Sequence, residues 1–239
     1  MTEVNYDVDG VCSTIINAGA LEIRDIDGGE EPFLYSSGNY GPGYVNIKGL
    51  VGQRNVLMSL VRKLALKISV EVGVIDFIAG NVTGGQIPGW ILSELLGIMR
   101  GHNIPYVYIR PSRKKGGHKE VITGDKNNDE IEKGMHCIDV EELINYAETT
   151  ANAIEELRLA GYNCRCAATI LSYENPVGVQ KLRDMGIKLI SLVTLEDLLR
   201  IAEIAPGYSN AIRDYREFLK NPLGWQEMRG FKPVENGGT

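Results

Sequence analysis

From about residue 54 to residue 199 the chain alternates short β-branched runs with longer stretches of helical spacing, and this alternation restricts its architecture more than any other feature. A parallel sheet needs such a pattern, because each crossover must carry the chain back over one face before the next strand begins. Val56, Leu57, Leu60, Val61, Leu64 and Ile68 follow helical spacing, and Val74 to Gly80 then reads as a buried strand closing on glycine. Gly84-Gly85 turns into a second helical pattern, Ile87 to Leu96, followed by a strand candidate at Pro105 to Arg110. Met135 to Val140, Cys164 to Leu171 and Ile187 to Val193 read as further strands, with helices over Thr149 to Leu159 and Val179 to Met185. The expected class is α/β: a doubly wound, mainly parallel five-stranded sheet with helices on both faces.

Composition excludes several partners. Lys+Arg 25 against Asp+Glu 31 leaves a formal charge of -6, so no overall field draws the chain to nucleic acid or an anionic membrane, and neither partner is expected. No apolar run nears the ~20 residues that span a bilayer, and the opening MTEVNYDVDG is acidic where a signal peptide is basic and then apolar. A cytoplasmic location is the expectation. Cys12, Cys137, Cys164 and Cys166 lack CxxC spacing and read as buried thiols, with Cys164 and Cys166 expected on one face of a strand. The three histidines supply no zinc set, and no metal ligand is assigned. Trp90 and Trp225 read as packing residues.

Two segments interrupt the alternation. Residues 111 to 134 are polar, Gly-rich and too long for an ordinary connection, which fits either a mobile functional loop or a solvated surface hairpin. Residues 206 to 239 open on Pro-Gly and carry an amphipathic helix with Ile212, Tyr215, Phe218 and Leu219. The reading is a single domain over residues 1 to 205, with a small N-terminal part over roughly residues 1 to 50, and a helical tail over 206 to 239 docked upon it.

Ligands of open α/β sheets bind beyond the carboxyl ends of the strands, where helix N-termini present free N–H groups. Three places qualify. Ala79 to Gly85 is a Gly-rich strand-to-helix turn, matching neither GxxxxGK[ST] nor GxGxxG, and either approaches an anion or is simply a tight turn. Asp139 to Thr150 passes from strand to helix through a cluster of acids, which either hold ribose hydroxyls or a metal, or cap the helix. The third is the long loop with Arg110, Arg113, Lys114, Lys115, His118 and Lys119, suited to a polyphosphate or to plain solvation.

Taken in order, these pieces resemble an orotate phosphoribosyltransferase of the type I phosphoribosyltransferase fold. Gly19 to Ile23 is similar to that family's first helix and strand, and Pro32 to Gly38 with Pro42 and Tyr44 resembles its F-x-L-x-S-G-x-x-S-P-x-Y element. Ile78-Ala79-Gly80 with Thr83 to Pro88 resembles the substrate-side loop. Tyr108 to Pro111 followed by Lys114 resembles the start of the mobile catalytic loop, Ser191 to Leu199 the last strand and helix, and Phe218 to Trp225 the tail of some members.

The resemblance implies transfer of ribose 5-phosphate from phosphoribosyl pyrophosphate to N1 of orotate, with magnesium, in a homodimer of pyrimidine biosynthesis. That chemistry rests on positioning and on neutralising the leaving pyrophosphate. It implies Lys114, His118, Glu141 and Glu142 as catalytic residues, and Ser37, Gly38, Thr83, Gly84, Gly85, Arg110, Lys115, Asn145 and Tyr173 as substrate-binding ones. The sequence departs from the family at several of these points. After Glu141-Glu142 and Leu143-Ile144, the family's Thr-Thr-Gly is replaced by Asn145-Tyr146-Ala147, and Glu148 follows where the 5-phosphate sits. Asp139 is one of the acids if the strand end is shifted. The loop histidine of Lys-x-His-Gly is replaced by Gly116, with His118 two positions on. Ser36 stands for a lysine, and Ser172-Tyr173 for the Asp-Arg pair that clamps the orotate carboxylate. The expected protein is therefore a divergent member with lost or strongly altered transfer, binding a phosphate or nucleotide-like small molecule. An active glycosyltransferase with a rearranged site, magnesium then being needed, and a non-catalytic dimeric interaction subunit are the alternatives.

Overall fold

The structure is a computed structural model that describes residues 7–111, 120–126, 128–205 and 208–234. Along the chain run α1 (Val8–Asn17), β1 (Leu21–Ile23), β2 (Phe33–Leu34), β3 (Tyr40–Gly41), β4 (Gly43–Val45), α2 (Arg54–Glu71), β5 (Phe77–Asn81), α3 (Gln86–Arg100), β6 (Tyr106–Ile109) and β7 (Ile122–Thr123). There follow β8 (His136–Ile144), α4 (Glu148–Leu159), β9 (Asn163–Ser172), α5 (Pro176–Asp184), β10 (Lys188–Thr194), α6 (Leu195–Ala202), α7 (Ser209–Lys220) and α8 (Pro222–Met228). They form two compact units, one of residues 50–195 and one of residues 8–49 with 196–239.

The first unit is the α/β body. Its sheet has the order β10-β9-β8-β5-β6-β7, with five parallel strands and β7 antiparallel to β6. Every residue of β5 is buried, as a central strand covered on both faces requires. The apolar stripe of α2 is buried at Leu57, Leu60, Val61, Leu64 and Ile68, the positions its periodicity marks. On the face covered by α4 and α5, Phe77, Ala79, Val107, Cys137, Ile154, Leu157, Ala167 and Leu182 form a continuous core. Gly101, at φ 74°, takes the left-handed conformation that ends α3.

Four details differ from the sequence reading. A sixth strand, β7, pairs antiparallel with β6, Tyr108 facing Thr123 and Ile109 facing Ile122. Strand β8 runs on to Ile144 rather than stopping at Val140, because Leu143 and Ile144 pair with Leu171 and Ser172 of β9. A bulge at Cys137-Ile138, opposite Cys164 to Cys166, breaks the alternation of faces. Cys164 therefore joins the core beneath α4 with Cys137, whereas Cys166 lies outside that cluster, and the two do not share a face. Trp90 lies on the outer side of α3 with 54% of its surface exposed, so it is not a packing residue of this unit.

In the second unit β1 pairs with β4 and β2 with β3, both antiparallel. The tail forms two helices where one was expected: Asn221 accepts a hydrogen bond from Gly224 N at 3.1 Å, and Pro222 restarts the chain as the first residue of α8. Trp225 is buried, as expected, and donates through Nε1 to Asp214 Oδ1 at 2.8 Å. Arg229 donates to the same oxygen at 2.6 Å and lies 4.3 Å over the Trp225 ring. Val234 exchanges two hydrogen bonds with the Asn39 side chain, at 2.8 and 3.2 Å, which ties the end of the tail to the β2–β3 turn.

Candidate active site

From β5 the chain steps to β6 on one side, and later returns to add β8, β9 and β10 on the other. The order of the parallel sheet therefore reverses between β5 and β8. At such a switch point the loops beyond neighbouring strands diverge and leave a crevice for a ligand. Two segments flank it here: Val82 to Gly85 after β5, and Glu141 to Glu148 at the end of β8.

The first segment depends on glycine. A Cβ at Gly85 would collide with the Val140 carbonyl oxygen, and one at Gly84 would overlap the Glu142 carboxylate. The main chain of the turn thus lies directly against β8, and Gly84 and Glu142 touch. Gly85 opens α3, and Tyr106 donates to the Gln86 carbonyl at 2.8 Å, fixing the helix start from β6. Thr83 is exposed at the tip of the turn.

The second segment collects acids. Glu141 is buried on β8, and burial together with the neighbouring Glu142 carboxyl pushes its pKa up to about 10. Glu142 N donates to Glu141 Oε1 at 3.3 Å. Asp139, two residues earlier on the strand, has no exposed surface, and burial holds its carboxyl well above the usual range. It accepts from Asn81 Nδ2 at 3.1 Å, which ties the last residue of β5 to β8 beneath the crevice. The sequence left Asp139 as a possible ribose-binding acid, but its depth inside the sheet removes it from ligand reach.

Beyond Ile144 the chain turns directly into α4. Ala147 adopts φ 58° and ψ 22°, the left-handed conformation in which glycine is at ease, and caps α4 with no side-chain hydrogen bond. Glu148 is the first helical residue, exposed, with Lys181 Nζ 3.7 Å from its carboxylate. An acid there complements the positive helix end. Asn145 accepts from Asn175 Nδ2 at 3.1 Å, and Gly178 of α5 lies so close that a Cβ would strike the Asn145 carbonyl. Tyr173 N donates to the Ile144 carbonyl at 2.9 Å, and Glu174 beside it is also left-handed, at φ 49°.

The fold thus brings Glu141, Glu142, Gly84 and Gly85 together, with Asn145 and Tyr173 at the neighbouring strand ends. Arg110 closes β6, its guanidinium donating to the Tyr108 hydroxyl at 3.1 Å. Ser37 and Gly38 belong to the other unit, in the β2–β3 turn, where Gly38 is at φ 85° and Ser37 Oγ accepts from Asn39 N at 3.3 Å. Lys114, Lys115 and His118 lie outside the described residues. Sequence reasoning missed Asn81 and Asn175. The Asn175-Pro176 pair, a cap followed by an N1 proline, marked a helix start, whereas no local signal marked Asn81. Among the described residues no three His, Cys, Asp or Glu side chains cluster to hold a metal.

The sheet order and the crevice define the class, a type I phosphoribosyltransferase fold. Solved structures bear this out: orotate phosphoribosyltransferase from Aeropyrum pernix superposes with a TM-score of 0.65 at 24% identity, covering 82% of this chain and 99% of that one. Leishmania donovani UMP synthase gives a TM-score of 0.68 at 20% identity, covering 90% of this chain and 42% of that longer one. No family model matches the chain. Curated relatives are nearer. An orotate phosphoribosyltransferase of Listeria monocytogenes is 31% identical over 199 residues, 82% of this chain and 88% of the relative. That of Streptococcus thermophilus is 26% identical over 219 residues, 91% and 97% of the two chains. The chain belongs to the orotate phosphoribosyltransferase family.

Proposed function

We propose that the chain is a phosphoribosyltransferase of the orotate type working with a rearranged site in the β5–β8 crevice. Its relatives' names support this reading, and the observation that carries it is the closure of Glu142 against Gly84, which holds two acids beside a Gly-Gly turn at the switch point. In this reading Glu141 and Glu142 meet the ribose hydroxyls, Gly84 and Gly85 face the base, and Lys114 and His118 neutralise the pyrophosphate. A protonated Glu141 donates a hydrogen bond to a hydroxyl, while Glu142 accepts one. Among the described residues no third His, Cys, Asp or Glu joins Glu141 and Glu142, so a magnesium ion at this pair would depend on oxygens of the substrate for its other ligands. Magnesium enters only as the counter-ion of the pyrophosphate, a part of the substrate.

A specific observation favours the second reading, in which transfer is lost and the scaffold binds another phosphate or nucleotide-like ligand. The segment from Asn145 to Glu148 lacks the hydroxyls and glycine of the family's phosphate loop, and Glu148 sets a like charge against a 5-phosphate. Calorimetric titration with phosphoribosyl pyrophosphate and magnesium, with and without orotate, alongside an assay for orotidine 5-phosphate, separates the two. Binding with turnover upholds the transferase. A folded protein silent in both channels overturns it.

The oligomer is a related proposal. Ile87, Trp90 and Ile98 stand on one side of α3 at helical spacing, with exposures of 40%, 54% and 77%. We assign this stripe to a homodimer contact, to be tested by light scattering of the chain and of Trp90→Glu. A monomeric parent chain would refute it. None of the described helices is long and apolar enough to cross a membrane.

A further inference from the structure

The crevice lies beyond the carboxyl ends of the strands, and the amino end of β9 carries a cavity that the proposed chemistry does not use. It has a volume of about 590 Å3, and Arg158, Tyr162, Asn163, Arg165 and Met185 contribute to its wall, which contains no Asp or Glu among the described residues. A volume of this order holds a small metabolite. In a chain of net charge -6, a wall with two cations and no acid is a local reversal of sign that favours an anionic ligand.

The bulge places one of the two cations. The ladder steps from Cys137 opposite Cys164 to Ile138 opposite Cys166, so Arg165 faces no residue of β8. On the other side β10 begins its pairing at Lys188 with Cys166. Arg165 is therefore the extra residue of the bulge, exposed, and it lines the cavity. Its side chain makes no ion pair or hydrogen bond among the described residues. The half-buried Arg158 is held in place: Nε donates to the Cys164 carbonyl at 3.0 Å, and both terminal nitrogens donate to the Met185 carbonyl at 3.1 Å. Both partners are neutral, so no carboxylate among the described residues balances its charge, and two of its five N–H groups stay uncommitted.

The geometry points to a phosphate-binding site at the amino end of β9, in which Arg158 and Arg165 hold a phosphate dianion, free or carried as a small ester whose body lies against Met185. Guanidinium groups suit this ligand because their planar N–H pairs match phosphate oxygens, and two of them balance a double charge. Arg158 is fixed before the ligand arrives, which lowers the ordering cost of binding. Strand β9, from Asn163 to Ser172, spans roughly 30 Å at ~3.3 Å per residue, so a ligand here does not reach the crevice.

The test treats the full chain with phenylglyoxal, which labels accessible guanidinium groups, and maps the labelled arginines by mass spectrometry. Inorganic phosphate and ribose 5-phosphate are the probes, each set against sodium chloride of equal ionic strength. At least one probe should slow the labelling of Arg165, while the exposed Arg213 of the other unit labels as before. Protection by inorganic phosphate assigns the free ion, and protection by ribose 5-phosphate alone assigns an ester. Hydrogen–deuterium exchange of residues 158–165 gives a parallel measure. The protecting probe should slow it in the parent chain, and Arg165→Ala should raise the concentration needed by roughly tenfold or more, the weight of one charge-assisted hydrogen bond. Arg165 labelling that neither probe slows, or that chloride slows equally, would overturn the site. So would protection confined to Arg110 beside the crevice, a result that leaves the transferase reading standing. The parent-chain map decides the matter even where the alanine variant does not fold.

Discussion

The two loops that flank the crevice reach similarly tight geometry by different means. After β5, Gly85 brings main chain against the Val140 carbonyl, where no other residue fits, and Gly84 lies against the Glu142 carboxylate, the end of a side chain that can swing aside. After β8, Ala147 takes a left-handed conformation with a methyl group in place, and α5 packs on Asn145 through Gly178. A close approach of backbone to backbone demands glycine absolutely, whereas a positive φ alone is tolerated in alanine for about 1–2 kcal/mol. The first loop is thus bound to its residue type by sterics. The second is held by a left-handed alanine and by the packing of α5 on Asn145.

Substitutions can break or sharpen this contrast. The largest effect is expected from Gly85→Ala, whose Cβ meets a fixed carbonyl oxygen of β8. It should lower stability by about 3 kcal/mol, the upper end of overpacking losses, measured by urea unfolding. A loss below about 1 kcal/mol would mean that the turn is not clamped against the strand.

Next comes the pH dependence set by Glu141. The folded chain keeps the Glu141 proton up to about pH 10, while the unfolded chain releases it near 4.5. The native state therefore binds more protons between these values, so the stability present below pH 4.5 declines as the pH rises towards 10. Glu141→Gln should flatten that decline and raise stability by roughly 1–3 kcal/mol near pH 8, with no gain below about pH 4. An unchanged slope in urea titrations across this range would show that Glu141 ionises normally.

Gly84→Ala should be milder, at about 1 kcal/mol, because the group it displaces is the end of a flexible side chain. Its signature is electrostatic: once Glu142 swings away, Glu141 loses its neighbour and the pH slope should shrink. The smallest effect belongs to Ala147→Gly. Relief of the left-handed strain and loss of a buried methyl nearly cancel, so stability should stay within about 0.5 kcal/mol of the parent. If the second loop is an impaired phosphate site, Ala147→Gly combined with Glu148→Gly should tighten inorganic phosphate binding in a calorimeter. No change would show that the exchanged side chains are not what limits anion binding there.

Much of the body was legible in the sequence because period-2 and period-3.6 patterns directly report which face is buried. The α2 stripe and the buried β5 are examples. The end of β8 was not legible: Leu143 and Ile144 belong to the strand because β9 offers partners across from them, a non-local fact. The face of Cys166 was misread for the same reason, since a bulge is set by two strands together. Trp90 looked like core because nothing local distinguishes an apolar residue facing a sheet from one facing outward.

For the site, the residue types alone placed a Gly-Gly turn and an acid pair at successive strand ends, and their order in the chain carried the family likeness. Residue types and periodicity are properties of neighbours along the chain, and these the sequence holds outright. That Gly84 receives the Glu142 carboxylate, that Asn81 reaches Asp139 beneath it, and that Asp139 is too deep to serve a ligand were decided by tertiary structure. Each depends on strands 58 residues apart lying side by side, and on the desolvation that only a closed sheet imposes.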